Sequence, residues 1–320
     1  VRREEIVDKE NREHTRAAST SGRQIARDGS SRALLPPSPR ERRWWAQQWF
    51  LLRRHKQILI GGAILLVMVL SAVLAAVITT NSPTLINGYV RLRAPNEYYF
   101  FGTDNQGRDV YSRTVYGARL SLQVGFLTSA LTIVAGTFVG MIAGYYRRTE
   151  GVIMRITDGM MAFPGIILAI GIMAVRGPSV SNVVIALTIV STPRVVRLVR
   201  SVVMGLRESP MVEAAIATGN TNSRVLWRHV LPNIVSPLIV QASFVFAEAV
   251  LAEAALSFLG AGAPPEIPSW GNMLADSKNL LRQAPWTMFF PGAALALTVF
   301  ALNLLGDGLR DLLDPRLRQR

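Results

Sequence analysis

Ile58-Leu-Ile-Gly-Gly-Ala-Ile-Leu-Leu-Val-Met-Val-Leu-Ser-Ala-Val-Leu-Ala-Ala-Val-Ile-Thr79 runs for 22 residues without a charge. A helix of about 20 apolar residues crosses the hydrocarbon core of a bilayer, so 58–79 reads as a membrane span. Working outward, the same signal recurs at about 119–145, 154–175, 181–203, 233–258 and 287–305. The 320 residues are 50% hydrophobic and 18% charged, with a mean hydropathy of +0.27. These numbers exclude an ordinary soluble domain, and zero Cys excludes a disulfide scaffold. The fold class is therefore all-α integral membrane, with six spans.

Residues 1–39 are charged, rich in Ser and Arg, and poor in large apolar residues, which reads as a flexible cytoplasmic tail. In 40–57, Trp45, Trp49 and Leu52 recur at helical spacing among basic residues. That pattern predicts an amphipathic helix at the lipid surface, or else the aromatic and basic collar of the first span. Residues 80–118 form an extracytoplasmic segment, 119–305 a core containing a cytoplasmic loop at 204–232, and 306–320 a C-terminal cytoplasmic tail.

The net charge of +14 suits nucleic acid in a soluble protein. In a polytopic chain it reports topology instead, and nucleic acid is not an expected partner. With both termini on one side, that face carries 27 Lys and Arg against 8 on the other. The excess puts both termini in the cytoplasm.

Enzyme signatures are absent. The three Lys follow Asp8, His55 and Ser277, never Gly, so there is no phosphate-binding loop of the Walker type. The three His are far apart, no H-E-x-x-H occurs, and no G-x-S-x-G is present. The chain carries no cofactor or metal set, and these absences count against an enzyme and against a self-powered pump.

Three acidic residues fall in or near spans: Asp158, Glu248 and Glu253. Intramembrane carboxylates face a cavity or a partner, so Asp158, Glu248 and Glu253 are pathway or subunit-interface candidates. Hydrogen bonding between helices or subunits is the first reading of the two Glu, with pore lining the second. Glu248 and Glu253 lie about 140° apart on a helix and do not form a paired-carboxylate site. Gly136, Gly140 and Gly144 make a small-residue row where a neighbouring helix can approach, within this chain or from a partner. Pro164 should kink the third span or end a cytoplasmic segment starting near Gly151.

The longest internal cytoplasmic segment contains Glu-Ser-Pro-Met-Val-Glu-Ala-Ala-Ile-Ala-Thr-Gly-Asn at 208–220. Ser209 fits as N-cap, Pro210 as first helical residue and Gly219 as left-handed C-cap. The helix between them, Pro210 to Thr218, is roughly 13 Å long. Such a helix is marginal in water and needs something to dock on.

Glu213-Ala214-Ala215, then Gly219, then Leu231-Pro232 resembles the EAA loop of ABC importer permeases. The stretches 101–122, 253–260 with 268–271, and 303–316 resemble the C-type permease of its dipeptide/oligopeptide branch, as does His229 two places before Leu231. The resemblance implies a six-span type I permease bundle forming half of a translocation pathway. It implies that Ser209, Pro210, Met211, Glu213, Ala214, Ala215, Gly219, Leu231 and Pro232 form the ATPase-coupling segment. The implied partners are a homologous second permease, two ATPase subunits that bind ATP and Mg, an extracytoplasmic peptide-binding protein, and membrane lipid. Related permeases carry nickel chelates, haem or glutathione. A reading from the residues alone remains beside it: an ion-coupled carrier or channel using Glu248 and Glu253.

Overall fold

The computed structural model describes residues 56–313. The expected tail, 1–39, and all but two residues of the expected interfacial helix, 40–57, lie outside the described residues.

The described chain is helical. Helix α1 (Lys56–Val73) and the short α2 (Ala75–Ile78) share the first apolar run, broken at Leu74. After an irregular stretch come α3 (Val110–Tyr145), α4 (Arg147–Met161), α5 (Gly165–Arg176) and α6 (Val180–Arg207). Then follow α7 (Pro210–Ala217), α8 (Asn222–Val225), a π-helical turn (Leu226–Val230) and α9 (Leu231–Phe258). The last two are α10 (Trp270–Ser277) and α11 (Trp286–Leu313).

Among these, α1, α3, α6, α11 and the continuous stretch Asn222–Phe258 are long and apolar enough to cross a membrane. The sixth span is not one helix. Helices α4 and α5 meet at 90°, so the expected span 154–175 is a bent pair, interrupted at Pro164, where a kink or an end was expected. Pro164 is the cause: it stands in extended conformation at the N-cap of α5 and cannot carry α4 onward.

Helix ends also differ from the hydropathy boundaries. Helix α3 starts at Val110, inside the segment expected to be extracytoplasmic, because Asp109 accepts hydrogen bonds from the Tyr111 and Ser112 amides. Helix α11 continues to Leu313 through the stretch expected to be tail. A helix ends where its hydrogen bonds end, not where its apolar residues do.

The central contact is α3 on α6. Gly136, Gly140 and Gly144 meet Val195, Val199 and Val203, one residue per turn on each helix. A Cβ on any of the three glycines would lie 2.5–2.7 Å from its valine. The small-residue row is therefore filled from within the chain.

At the end away from the basic loops, 101–113 folds into a cap on α10. Asp104 accepts from the amides of Gln106 (2.8 Å) and Arg108 (2.9 Å), from Arg108 Nε (2.6 Å) and from Arg113 Nη1 (3.3 Å). Both arginines also reach Asp276 of α10, at 2.8 and 3.5 Å. Gly107 has φ +73°, and a Cβ there would collide with the Asn87 carbonyl at 1.8 Å. Trp270 is fully buried, and its Nε1 donates to the Thr114 carbonyl at 3.0 Å.

Candidate functional site

The loop between α6 and α9 is a rigid, two-sided element. Arg207, in the last turn of α6, donates to the carbonyls of Gly144 (3.2 Å) and Tyr145 (3.4 Å), capping α3 beside it. Tyr145 Oη donates to Asn222 Oδ1 at 3.0 Å, tying α3 to α8. Between these ties sits α7.

Ser209 occupies the N-cap position with extended backbone, but its side chain does not cap. Its Oγ donates back to the Leu206 carbonyl at 2.6 Å, so the expected side-chain cap is corrected. Pro210 is the first helical residue and needs no partner for its nitrogen. At the other end, Gly219 has φ +82°. Its amide donates to the Ile216 carbonyl (2.9 Å) and that of Asn220 to Ala215 (3.2 Å). This pair of bonds is a Schellman closure, and it requires the left-handed residue to be Gly at low cost. The helix ends at Ala217 with Thr218 as its cap, one residue short of expectation.

The two faces of α7 differ. Val212 and Ala215 point inward and join the apolar cluster of Val195, Val199, Val203, Val225 and Ile234. Met211, Glu213, Ala214, Ile216 and Ala217 are exposed. Ala215, expected at the docking contact, thus anchors α7 to its own bundle instead. Leu231 is likewise packed on that cluster, while Pro232 is exposed. Pro232 does more than start a span. It has no N–H for the Arg228 carbonyl, and the preceding turn widens to π geometry.

Sequence reasoning missed Ile216, Arg224, Trp227 and Arg228, all exposed around the same loop. The signal was available: Ile216 is 48% and Trp227 57% exposed at the polar end of the chain, where large apolar side chains need a reason.

The three acidic residues of the spans separate. Glu248 of α9 pairs with Arg194 of α6, and Asp158 of α4 pairs with Arg197 at 2.7 Å. Arg200 pairs with Glu150 one turn further along. Glu253 is different: fully buried, it accepts from Ser121 Oγ (3.0 Å) and Ser257 Oγ (2.9 Å). It joins α3 to α9 inside this chain, which is the helix-bonding alternative of the expectation and not the pathway one. Glu253→Gln keeps a carbonyl for one serine and should cost at most about 1 kcal/mol of stability. Uptake that persists in this variant would agree with a structural joint; its abolition in a stably folded variant would point to proton coupling.

The described residues form a bundle of apolar helices with one two-sided loop between α6 and α9. The chain belongs to the binding-protein-dependent transport system inner membrane component family, whose model matches residues 136–319. The model for the N-terminal TM domain of oligopeptide transport permease C matches residues 43–95.

Similar proteins agree. The probable peptide ABC transporter permease protein y4tQ of Sinorhizobium fredii is 50% identical over 75% of this chain and 83% of its own length. The dipeptide transport system permease protein DppC of Alkalihalophilus pseudofirmus is 46% identical over 75% and 79%. The glutathione transport system permease protein GsiD of Pectobacterium atrosepticum is 41% identical over 72% and 77%. Among solved structures, a chain of the inward-facing MetNI methionine ABC transporter aligns over 63% of this chain and 96% of that one. Its TM-score is 0.53 at 20% identity, a likeness of fold. The chain is a multi-pass inner-membrane protein of this prokaryotic family.

Proposed function

We propose that this chain forms half of the translocation pathway of an ATP-driven importer of short peptides. The observation that carries the proposal is the two-sided α7. Its inner face is locked to α6 and α9 through Val212 and Ala215, and its outer face presents Met211, Glu213, Ala214 and Ile216 with no partner among the described residues. Substrate class follows from the relatives, which are named for peptides, dipeptides and glutathione.

In this reading both termini are cytoplasmic, the cap of 101–113 and α10 faces outward, and a peptide-binding protein delivers there. A homologous second permease completes the pathway. Two ATPase subunits bind ATP and Mg, and one receives α7 in a cleft. Closure of the ATPases displaces α7. Because interiors are close-packed and stiff, the displacement passes to Val195, Val199 and Val203 on α6 and to Ile234 on α9. The spans then tilt between inward-open and outward-open states. The rival ion-coupled carrier loses one of its two carboxylates, since Glu253 is sealed in a serine-lined joint.

Glu213→Arg and Ile216→Asp test the docking face without touching the inner one. Each should weaken ATPase association about 10–30-fold, the loss of one central interface contact. Co-purification of ATPase subunits with the chain, and peptide-stimulated ATP hydrolysis, are the readouts. Unchanged association and uptake in both variants would sink the docking assignment.

A further inference from the structure

Three polar features stand on one face of the bundle at membrane depth, and none has cover within the described chain. The first is the Arg194–Glu248 pair. Helix α6 has 28 residues and is roughly 42 Å long, and Arg194 stands at its middle. A core of about 30 Å counted from the start of α6 covers about 20 residues, which places Arg194 in the cytoplasmic half of that core. Yet the Arg194 and Glu248 side chains are 58% and 46% exposed.

The second is Arg197–Asp158, one turn toward the cytoplasm, with side chains 51% and 57% exposed. The third is the break at Ala162, Phe163 and Pro164, all exposed. Helix α5 has 12 residues and spans roughly 18 Å, so this break falls inside the hydrocarbon region. Charges and non-helical backbone at that depth do not face lipid; they line water or meet protein.

Water fits better than a dry subunit contact. Each charge already has its counter-charge within the chain, so a partner is not needed to neutralise it. A dry interface would strip solvent from four ionised groups, and the attraction within each pair recovers that loss poorly. The opening also continues: one turn cytoplasmic of Arg194, Leu198 borders a mainly apolar cleft of about 420 Å³ shared with Gln241, Phe244 and Arg310.

We propose that this face of α4, α6 and α9 walls a water-filled passage, and that Arg194 and Glu248 form a binding step for the charged termini of a short peptide. The inference rests on the importer reading above. A zwitterionic peptide carries one carboxylate and one ammonium. Its carboxylate can exchange onto Arg194 and its ammonium onto Glu248, and no charge is left uncompensated. An apolar or singly charged solute would break the pair without replacing it.

The chain has no Cys, which makes the test direct. Leu198→Cys, Gln241→Cys and, as a lipid-facing control, Val134→Cys on the exposed apolar face of α3 are each assembled with the partner subunits in nanodiscs. A membrane-impermeant cationic thiol reagent is added, and the mass of this chain is read. Leu198→Cys and Gln241→Cys should label, and Val134→Cys should not. Dialanine should slow labelling about twofold or more once its concentration exceeds its Kd, and N-acetyl-dialanine amide should not. Glu248→Gln should remove that protection, and protection that persists in this variant would overturn the role of Glu248. If both test positions stay as unreactive as Val134→Cys, the face is a dry interface and the passage is wrong. Labelling that both peptides slow equally, or neither slows, overturns the recognition of termini. Failure of the importer reading shows separately, as an absence of ATPase subunits in the purified assembly before any reagent is added.

Discussion

Asp104→Ala is expected to lower stability by about 3–5 kcal/mol, the cost of removing one partner from a buried ion pair. Asp104 holds two guanidinium groups and two backbone amides at once. Arg108 and Arg113 are 8% and 2% exposed, so neither can turn to bulk water when the carboxylate goes. Asp276 would remain as their single acidic partner among the described residues, at 3.5 Å from Arg113. The loss falls on the cap that ties the start of α3 to α10. Heat inactivation of the purified assembly, followed by the fraction that stays monodisperse, measures it. Asp276→Ala should cost less, because its carboxylate is already 37% exposed. Equal melting of wild type and Asp104→Ala would show that the cap is not a stability element.

Gly140→Leu should prevent stable folding of the bundle. A Cβ at 140 would stand 2.7 Å from Val199 Cβ and 2.9 Å from the Val196 carbonyl oxygen. The second atom is backbone, so no rotamer change relieves the clash, and α3 and α6 must separate. Overpacking of a filled core costs about 1–3 kcal/mol, and here the strain is levered along the whole glycine row. The chain should be degraded or fail to assemble, as measured by its level in membranes. Gly151→Leu is the control: it stands in α4 with nothing near its Cβ position, and should leave the level unchanged. A similar loss in both would assign the effect to helix flexibility rather than to the α3–α6 contact.

The loop between α6 and α9 was legible because its signals are local. Pro210 at the first helical position and Gly219 as left-handed terminator follow from what those residues can do with φ and a missing N–H. Which side of α7 faces in was not legible. Ala214 and Ala215 are the same residue type next to each other, and only the approach of Val225 and Ile234 decides that Ala215 is inside. Ser209 shows the same limit at one atom: a serine at an N-cap can bond forward or back, and here it bonds to Leu206.

The acidic residues of the spans illustrate it again. Their cost in a bilayer is a property of the sequence, so all three stood out. Their fates depend on neighbours that lie far away along the chain. Ser121 is 132 positions from Glu253, and Arg194 is 54 from Glu248. No periodicity encodes such a meeting.

By itself the sequence determined the number of apolar runs, the helical class, the sidedness expected from basic residues and the break at Pro164. Each follows from transfer free energy or backbone sterics, which act on a residue and its immediate neighbours. The tertiary structure alone decided that the glycine row is filled by Val195, Val199 and Val203, that Glu253 is a joint, and that Arg194 and Glu248 share an uncovered face. Those depend on which helices pack together, and that choice is made by the shape of whole surfaces rather than by any one stretch of chain.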